Sequence, residues 1–265
     1  PIAHGLIKAV RKPAGFEDCV FVAADLGNVN AIRADTTLPG FKSSLQPILA
    51  SDTVRHVGEL IAACVAPTRA EAEDIANAVE LEFEDLPVLS DMLQALEPNA
   101  PKVHDHWADN VFLESYLESD ADIEPLKARA AASAKRTFRT SRQSMAPMEG
   151  RGVVAEWDKR LEILTVTTST QIPHIVRSGL SECLNLDEGQ VRVVAPDVGG
   201  GFGYKGLLLP EEVALGRIAM ITGRPMQWIE DRREQLTAAA NCREHYYDIT
   251  IYGAEDGSIL ALECE

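Results

Sequence analysis

The apolar positions change period several times along the chain, and each change marks an element. Residues 5–10 and 19–23 read as short strands, and 61–66 (Ile-Ala-Ala-Cys-Val-Ala) is an apolar run of buried-strand length. Thr68 then offers an N-cap, and Glu71 completes a capping box three residues on. The helix it opens spans 70–78, with Ala72, Ile75, Ala76 and Val79 on its inner face. Residues 79–84 alternate with period two, as a half-buried strand does. Residues 61–84 therefore read as a strand–helix–strand unit of α/β type.

Two prolines bracket 98–101 (Pro-Asn-Ala-Pro) and mark a linker. Beyond it the pattern predicts a strand over 104–114, a helix over 123–132 and a polar strand over 134–142. Residues 152–157 and 161–167 predict a hairpin around Asp158-Lys159, and 172–184 an amphipathic helix. Residues 191–195 predict a strand that runs into a glycine loop at 199–203. The span 210–222 carries strong helix signals: Pro210 at the first position, Glu211 and Glu212 in the first turn, and Gly223 just past the end. A strand over 226–230 and a hairpin of 246–252 with 258–264 complete the series. The fold class is α+β, with a first domain over 1–97 and a second over 102–265.

A formal net charge of -16 argues against sequence-independent nucleic-acid binding, which needs clustered Lys and Arg. It leaves an anionic ligand open, because backbone N–H groups can build an anion pocket whatever the overall charge. No apolar run approaches the ~20 residues needed to cross a bilayer, and the start, Pro1-Ile2-Ala3-His4-Gly5, does not read as a signal peptide. Both ends read as cuts inside a domain. Five cysteines, odd in number and without a C-x-x-C, predict neither a zinc ribbon nor a cysteine-ligated iron–sulfur cluster. They are expected to be reduced thiols packed inside a cytoplasmic protein.

Three segments carry candidate chemistry. The first is Pro196-Asp-Val-Gly-Gly-Gly-Phe-Gly-Tyr-Lys-Gly206, glycines after a strand that let a ligand approach backbone N–H groups. Its spacing fits neither the dinucleotide fingerprint nor the phosphate loop, since Gly206 follows Lys205. The bland alternative is a tight crossover with Phe202 packed in the core. The second is Thr167-Thr-Ser-Thr-Gln-Ile-Pro-His174, which places Gln171, a carboxamide donor and acceptor, before a helix. Its bland alternative is capping by Ser169 or Thr170 with Gln171 merely exposed. The third is Met145-Ala-Pro-Met-Glu-Gly-Arg-Gly152, where Glu149 and Arg151 could form a buried ion pair that locks a loop.

In this order and at these separations the three segments resemble the large subunits of the xanthine dehydrogenase/aldehyde oxidase/carbon monoxide dehydrogenase family of molybdenum hydroxylases. Residues 1–5 and 49–59 (Leu-Ala-Ser-Asp-Thr-Val-Arg-His-Val-Gly-Glu) extend the resemblance upstream. It implies an N-terminally truncated α/β hammerhead domain followed by the start of a molybdopterin-binding domain. By that similarity Gly200, Gly201, Phe202 and Gly203 would run along the molybdopterin and the metal's oxygen ligands. Gln171 would hydrogen-bond such an oxygen, and Phe202 would also flank the substrate. Arg243 lies near where the family often carries an Arg on the substrate side, although its surroundings, Asn241-Cys-Arg-Glu-His245, match poorly. No protein side chain is expected to ligate the metal.

The implied reaction is hydroxylation of an aldehyde or N-heterocycle, or oxidation of carbon monoxide, with water as the oxygen source. The implied cofactor is molybdenum–molybdopterin, expected in its cytosine dinucleotide form. The implied partners are an iron–sulfur small subunit, an FAD medium subunit and the remainder of the large subunit. Family members carry the general-base Glu beyond the position of residue 265. The chain alone is therefore expected to be inactive, to hold no cofactor by itself if the missing contacts are needed, and to self-associate through exposed apolar edges. Purine-hydroxylating members have a Glu where this chain has Gly206, which disfavours xanthine. Two alternatives stay open: a non-catalytic interaction or scaffold module derived from the family, and an unrelated nucleotide-binding α/β enzyme. The latter requires the glycine loop to open a helix directly after a parallel strand.

Overall fold

Two-residue alternation decides how the central sheet packs. In the strand Ile163–Thr168, Leu164, Val166 and Thr168 share one face and are buried. Val153 and Ala155 of Gly152–Asp158 face the same core. A computed structural model describes residues 2–117 and 122–265. Pro1, part of the family-like start, lies outside the described residues.

The chain forms two compact units. One comprises Pro1–Thr36, Lys42–Phe112 and Met145–Ala240; the other comprises Thr37–Phe41, Leu113–Ser144 and Asn241–Glu265. In the first unit four strands lie in the order Val191–Val194, Ile163–Thr168, Gly152–Asp158, Met226–Ile229. The first pair is parallel and the other two are antiparallel. The helices Pro173–Leu184 and Pro210–Thr222 cover this sheet, burying Val176, Leu180 and Cys183 from one and Val213, Ala214, Ile218 and Ala219 from the other. A smaller core of Ala50, Val54 and Ile61 lies against a second sheet, ordered Thr53–Val54, Gly5–Arg11, Glu80–Asp85. The second unit is built on the antiparallel order Ile259–Cys264, His245–Gly253, Ala132–Thr140.

Most expected elements form within a few residues of their predicted bounds, and 210–222 forms as read. Four expectations need correction. The strand–helix–strand unit is not one sheet: Ala62–Cys64 pairs with Val20–Val22, while Glu80–Asp85 pairs with Gly5–Arg11. Only Ile75 of the expected inner face of the helix Arg69–Ala78 is buried, and Ala76 is exposed. No strand forms over 104–114. There the Asn110 side chain accepts from Val103 N–H (3.0 Å) and donates to the carbonyls of Ala95 (3.3 Å) and Pro101 (2.9 Å), which folds the segment into turns. Of the five thiols, all unbonded, Cys183 alone is buried, and Cys242 and Cys264 are exposed.

The predicted capping box is present: Thr68 Oγ1 accepts from Glu71 N–H at 3.3 Å and the Glu71 carboxylate accepts from Thr68 N–H at 3.1 Å. Thr68→Ala is expected to lower stability by about 1 kcal/mol in urea unfolding, with Thr68→Ser close to wild type. Equal stability of the Ala and Ser variants would show that the cap contributes nothing.

Candidate functional site

The site is built in the first unit where three segments distant in sequence meet. After Ile163–Thr168 the chain turns outward before the helix Pro173–Leu184. Ser169 Oγ accepts from Gly152 N–H at 2.9 Å, and the Thr170 hydroxyl donates to the Lys205 carbonyl at 3.2 Å. That carbonyl also accepts from Gln171 N–H at 2.9 Å. Thr170 Oγ1 takes the Ile172 N–H at 3.1 Å, so these hydroxyls tie the turn to its neighbours and do not cap the helix, whose N-cap is Ile172.

The side chain of Gln171 reaches the glycine loop: its Oε1 accepts from Gly203 N–H at 3.1 Å. An N–H can only meet an acceptor, so this contact fixes which way the carboxamide faces. The remaining NH2 has no partner among the described residues. A Cβ on Gly201 would overlap that same Oε1, so only glycine permits the approach. Gly201 is buried, yet among the described residues neither its N–H nor that of Phe202 meets an acceptor. For Gly201 this is unusual, because buried backbone N–H groups are nearly always satisfied.

Phe202 adopts φ 55°, a left-handed conformation costing a non-glycine residue about 1–2 kcal/mol. The residue is 73% exposed. The alternative of a crossover with Phe202 packed in the core is thereby excluded. Turns, not a helix, follow the loop until Pro210, which removes the nucleotide-binding reading.

Beneath the loop lies a charged network. Arg151 pairs with two carboxylates: bidentately with Glu211 (3.1 and 2.7 Å), and through Nε (3.0 Å) and Nη2 (2.9 Å) with Glu230. Glu230 also takes Arg151 N–H at 2.9 Å and the Tyr204 hydroxyl. The guanidinium sits 5.0 Å from the ring centres of both Tyr204 and Trp228. Glu149 does not pair with Arg151, as the sequence suggested; it pairs with Lys205 at 2.5 Å. Glu212 accepts from the Thr168 hydroxyl at 2.7 Å and from Leu209 N–H at 3.0 Å. Arg151, Thr168, Lys205 and Glu212 help to line a cavity of about 10 Å³, room for one water molecule.

Gln171 and 200–203 are therefore brought together. Arg243 belongs to the second unit, exposed between the strands Asn241–Cys242 and His245–Gly253. Sequence reasoning gave no role to Tyr204, Lys205, Thr168 or Glu230. Tyr204, Lys205 and Thr168 lie inside segments already singled out, whereas Glu230, at the end of the strand over 226–230, adjoins none of them and gave no signal.

A model of the molybdopterin cofactor-binding domain matches residues 103–265, and one of the aldehyde oxidase and xanthine dehydrogenase a/b hammerhead domain matches residues 1–87. The chain belongs to the molybdenum hydroxylase large-subunit family. It is 34% identical over 99% of its length to the nicotine 6-hydroxylase large subunit of Paenarthrobacter nicotinovorans, covering 32% of that protein. It is 30% identical over 99% of its length to the carbon monoxide dehydrogenase large chain of Hydrogenophaga pseudoflava, covering 34% of it. The crystal structure of quinoline 2-oxidoreductase from Pseudomonas putida 86 superposes with a TM-score of 0.92 at 34% identity, over 100% of this chain and 34% of that one. The chain thus spans about a third of the length of the relatives it matches. The α+β architecture is that of a hammerhead domain followed by molybdenum-cofactor-binding sequence in this hydroxylase family. Among the described residues no cluster of His, Cys, Asp or Glu is arranged to hold a metal ion, and no helix is long and apolar enough to cross a membrane.

Proposed function

We propose that this chain supplies part of the cofactor cradle of a molybdenum-dependent hydroxylase acting on an N-heterocycle or aldehyde, with water as the oxygen source. The observation that carries the reading is the convergence of the Gln171 carboxamide on a glycine loop with free backbone donors. These residues suit an oxygen-rich anionic group. The Gln171 NH2 and the N–H groups of Gly201 and Phe202 are unspent donors, and Gly200, Gly201 and Gly203 present no side chain.

When bound, the molybdenum–pterin group supplies the two-electron redox chemistry. The chain's own part is positional and electrostatic. Gln171 would hold an oxygen ligand of the metal through its NH2, while its Oε1 stays anchored on Gly203. The 200–203 backbone would lie along the pterin, and the exposed Phe202 ring would offer a flat apolar wall to a planar substrate. N-heterocycles are favoured because the relatives include a nicotine 6-hydroxylase and a quinoline 2-oxidoreductase. Gly206 offers no side chain to a purine. Arg243 enters only as a substrate-side residue suggested by resemblance. The reading extends to a cytosine dinucleotide form of the cofactor, iron–sulfur and FAD partner subunits, a cytoplasmic location, and a domain boundary between residues 97 and 102.

The test is metal content. The chain, produced as part of its assembled hydroxylase in a host that makes the cofactor, is expected to carry one molybdenum and one pterin per subunit. Gly201→Ala is expected to retain under a tenth of that, because the new methyl takes the space of the Gln171 carboxamide. An assembled complex free of molybdenum, or a Gly201→Ala protein that keeps its full complement, would overturn the reading.

A further inference from the structure

The glycine loop has few intrinsic reasons to hold one shape. Glycine-rich backbone loses more conformational entropy on ordering than any other, and this loop also carries a left-handed phenylalanine. Something outside the loop must restrain it, and one side chain touches both of its ends. The carboxylate of Glu149 accepts from Gly199 N–H through Oε2 at 2.9 Å and from the Lys205 ammonium through Oε1 at 2.5 Å. Glu149 N–H returns a longer bond to the Gly199 carbonyl at 3.4 Å. The approach is close enough that a Cβ on Gly199 would sit 2.7 Å from the Glu149 Cβ. The Lys205 side chain is 0% exposed, whereas Glu149 keeps one side to solvent.

We propose that Glu149 is a positioning residue: by bridging Gly199 and Lys205 it closes the glycine loop and sets where the 200–203 backbone meets Gln171. Lys205 passes the restraint on, because its carbonyl receives the Gln171 N–H and the Thr170 hydroxyl. One carboxylate thus fixes the register of two segments that no strand pairing joins. The Lys205 ammonium holds the Glu149 carboxyl below its ordinary pKa, aided by the Gly199 N–H and opposed by partial burial. Among the described residues Lys205 is the one charged side chain that acts on it. What the closed loop holds rests on the cofactor reading; that Glu149 closes it does not.

The experiment is amide exchange and ¹H–¹⁵N NMR on the full chain without cofactor. In Glu149→Gln, exchange of the 199–203 amides is expected to rise at least tenfold, with the amides of Pro210–Thr222 unchanged. Glu149→Asp is expected to recover most of the protection, a rescue that a bulk packing role would not give. In the wild type the Gly199 amide shift should titrate with a midpoint below the ordinary glutamate value, and Glu149→Gln should abolish that titration. If Glu149→Gln unfolds the chain by stranding the Lys205 charge, Glu149→Gln/Lys205→Met leaves no charge unpaired and reports on the same amides. Loop exchange within twofold of wild type in a folded variant, or an equal rise in Pro210–Thr222, would overturn the proposal. Loosening of the loop together with a wild-type complex that lacks molybdenum would leave Glu149 in its role and remove the cofactor reading alone.

Discussion

Arg151→Met is expected to lower the stability of this chain by about 3–5 kcal/mol, the cost of stripping one partner from a buried ion cluster. The Glu230 side chain is 0% exposed, so its carboxylate cannot turn to water once the guanidinium is gone, while Glu211, 14% exposed, reaches water only in part. The Tyr204 and Trp228 rings lose their cation in the same step. Methionine keeps much of the apolar stem, which separates the charge effect from cavity formation. Urea unfolding is the measurement, read as a shift in midpoint at constant slope. The variant Arg151→Met/Glu211→Gln/Glu230→Gln, with no charge left in the cluster, should regain most of the loss. A penalty below about 1 kcal/mol for Arg151→Met alone is the range of an exposed pair and would mean that water reaches the cluster.

The size of that expected loss reflects where the cluster sits. Arg151 lies just before the strand Gly152–Asp158, Glu211 is in the first turn of Pro210–Thr222, Glu230 directly follows Met226–Ile229, and Tyr204 belongs to the glycine loop. Four backbone segments are thus joined at one cation. The cluster fixes the floor of the loop, and the Glu149 bridge closes its ends. The apolar sheet-and-helix core fixes neither, because the loop's two large buried side chains, Tyr204 and Lys205, end in polar groups that meet Glu230 and Glu149.

Legibility in the sequence followed the strength of the local signal. The helix Pro210–Thr222 was readable to the residue, because Pro210 can start a helix and Gly223, at φ 66°, can end one. The helix Arg232–Ala238 escaped, although Asp231 caps it and Glu234 completes its box. At seven residues it has no sustained apolar stripe to announce it. The two-residue strands Ile32–Arg33, Leu45–Gln46 and Thr53–Val54 exist only through tertiary pairing, which no window of sequence contains. At the site, Gln171 and 200–203 were legible through family resemblance, and the geometry joins them independently. The partner of Glu149 was not legible: Arg151, two positions on, was the obvious cation, while Lys205 lies 56 residues away. Charge complementarity in sequence does not say which of two cations a fold will bring near.

Glu212 carries the second large expected effect, and its sign is opposite to that of most carboxylates. Burial pushes its pKa from 4.5 up to about 7, against the hydrogen bonds from Leu209 N–H and Thr168, with Glu211 adding to the rise and Arg151 opposing it. The folded state therefore holds a proton that the unfolded chain releases near 4.5. Stability should fall as pH rises through the window from 4.5 to about 7 and level off above it. The contribution is roughly 3 kcal/mol, since each tenfold difference in proton affinity between the folded and unfolded states is worth about 1.4 kcal/mol. Glu212→Gln removes the titration while keeping the contacts: its carbonyl can accept from Leu209 N–H, and its NH2 can donate to the Thr168 oxygen. The variant should match the wild type within about 1 kcal/mol near pH 4.5 and exceed it by up to about 3 kcal/mol at pH 8. Subtracting the two stability curves cancels the groups that do not interact with Glu212, so the difference curve reports Glu212 together with its coupling to Glu211 and Arg151. A flat difference between pH 4.5 and 8 would show a carboxyl that ionises normally, and hence a hydrated pocket beneath the glycine loop.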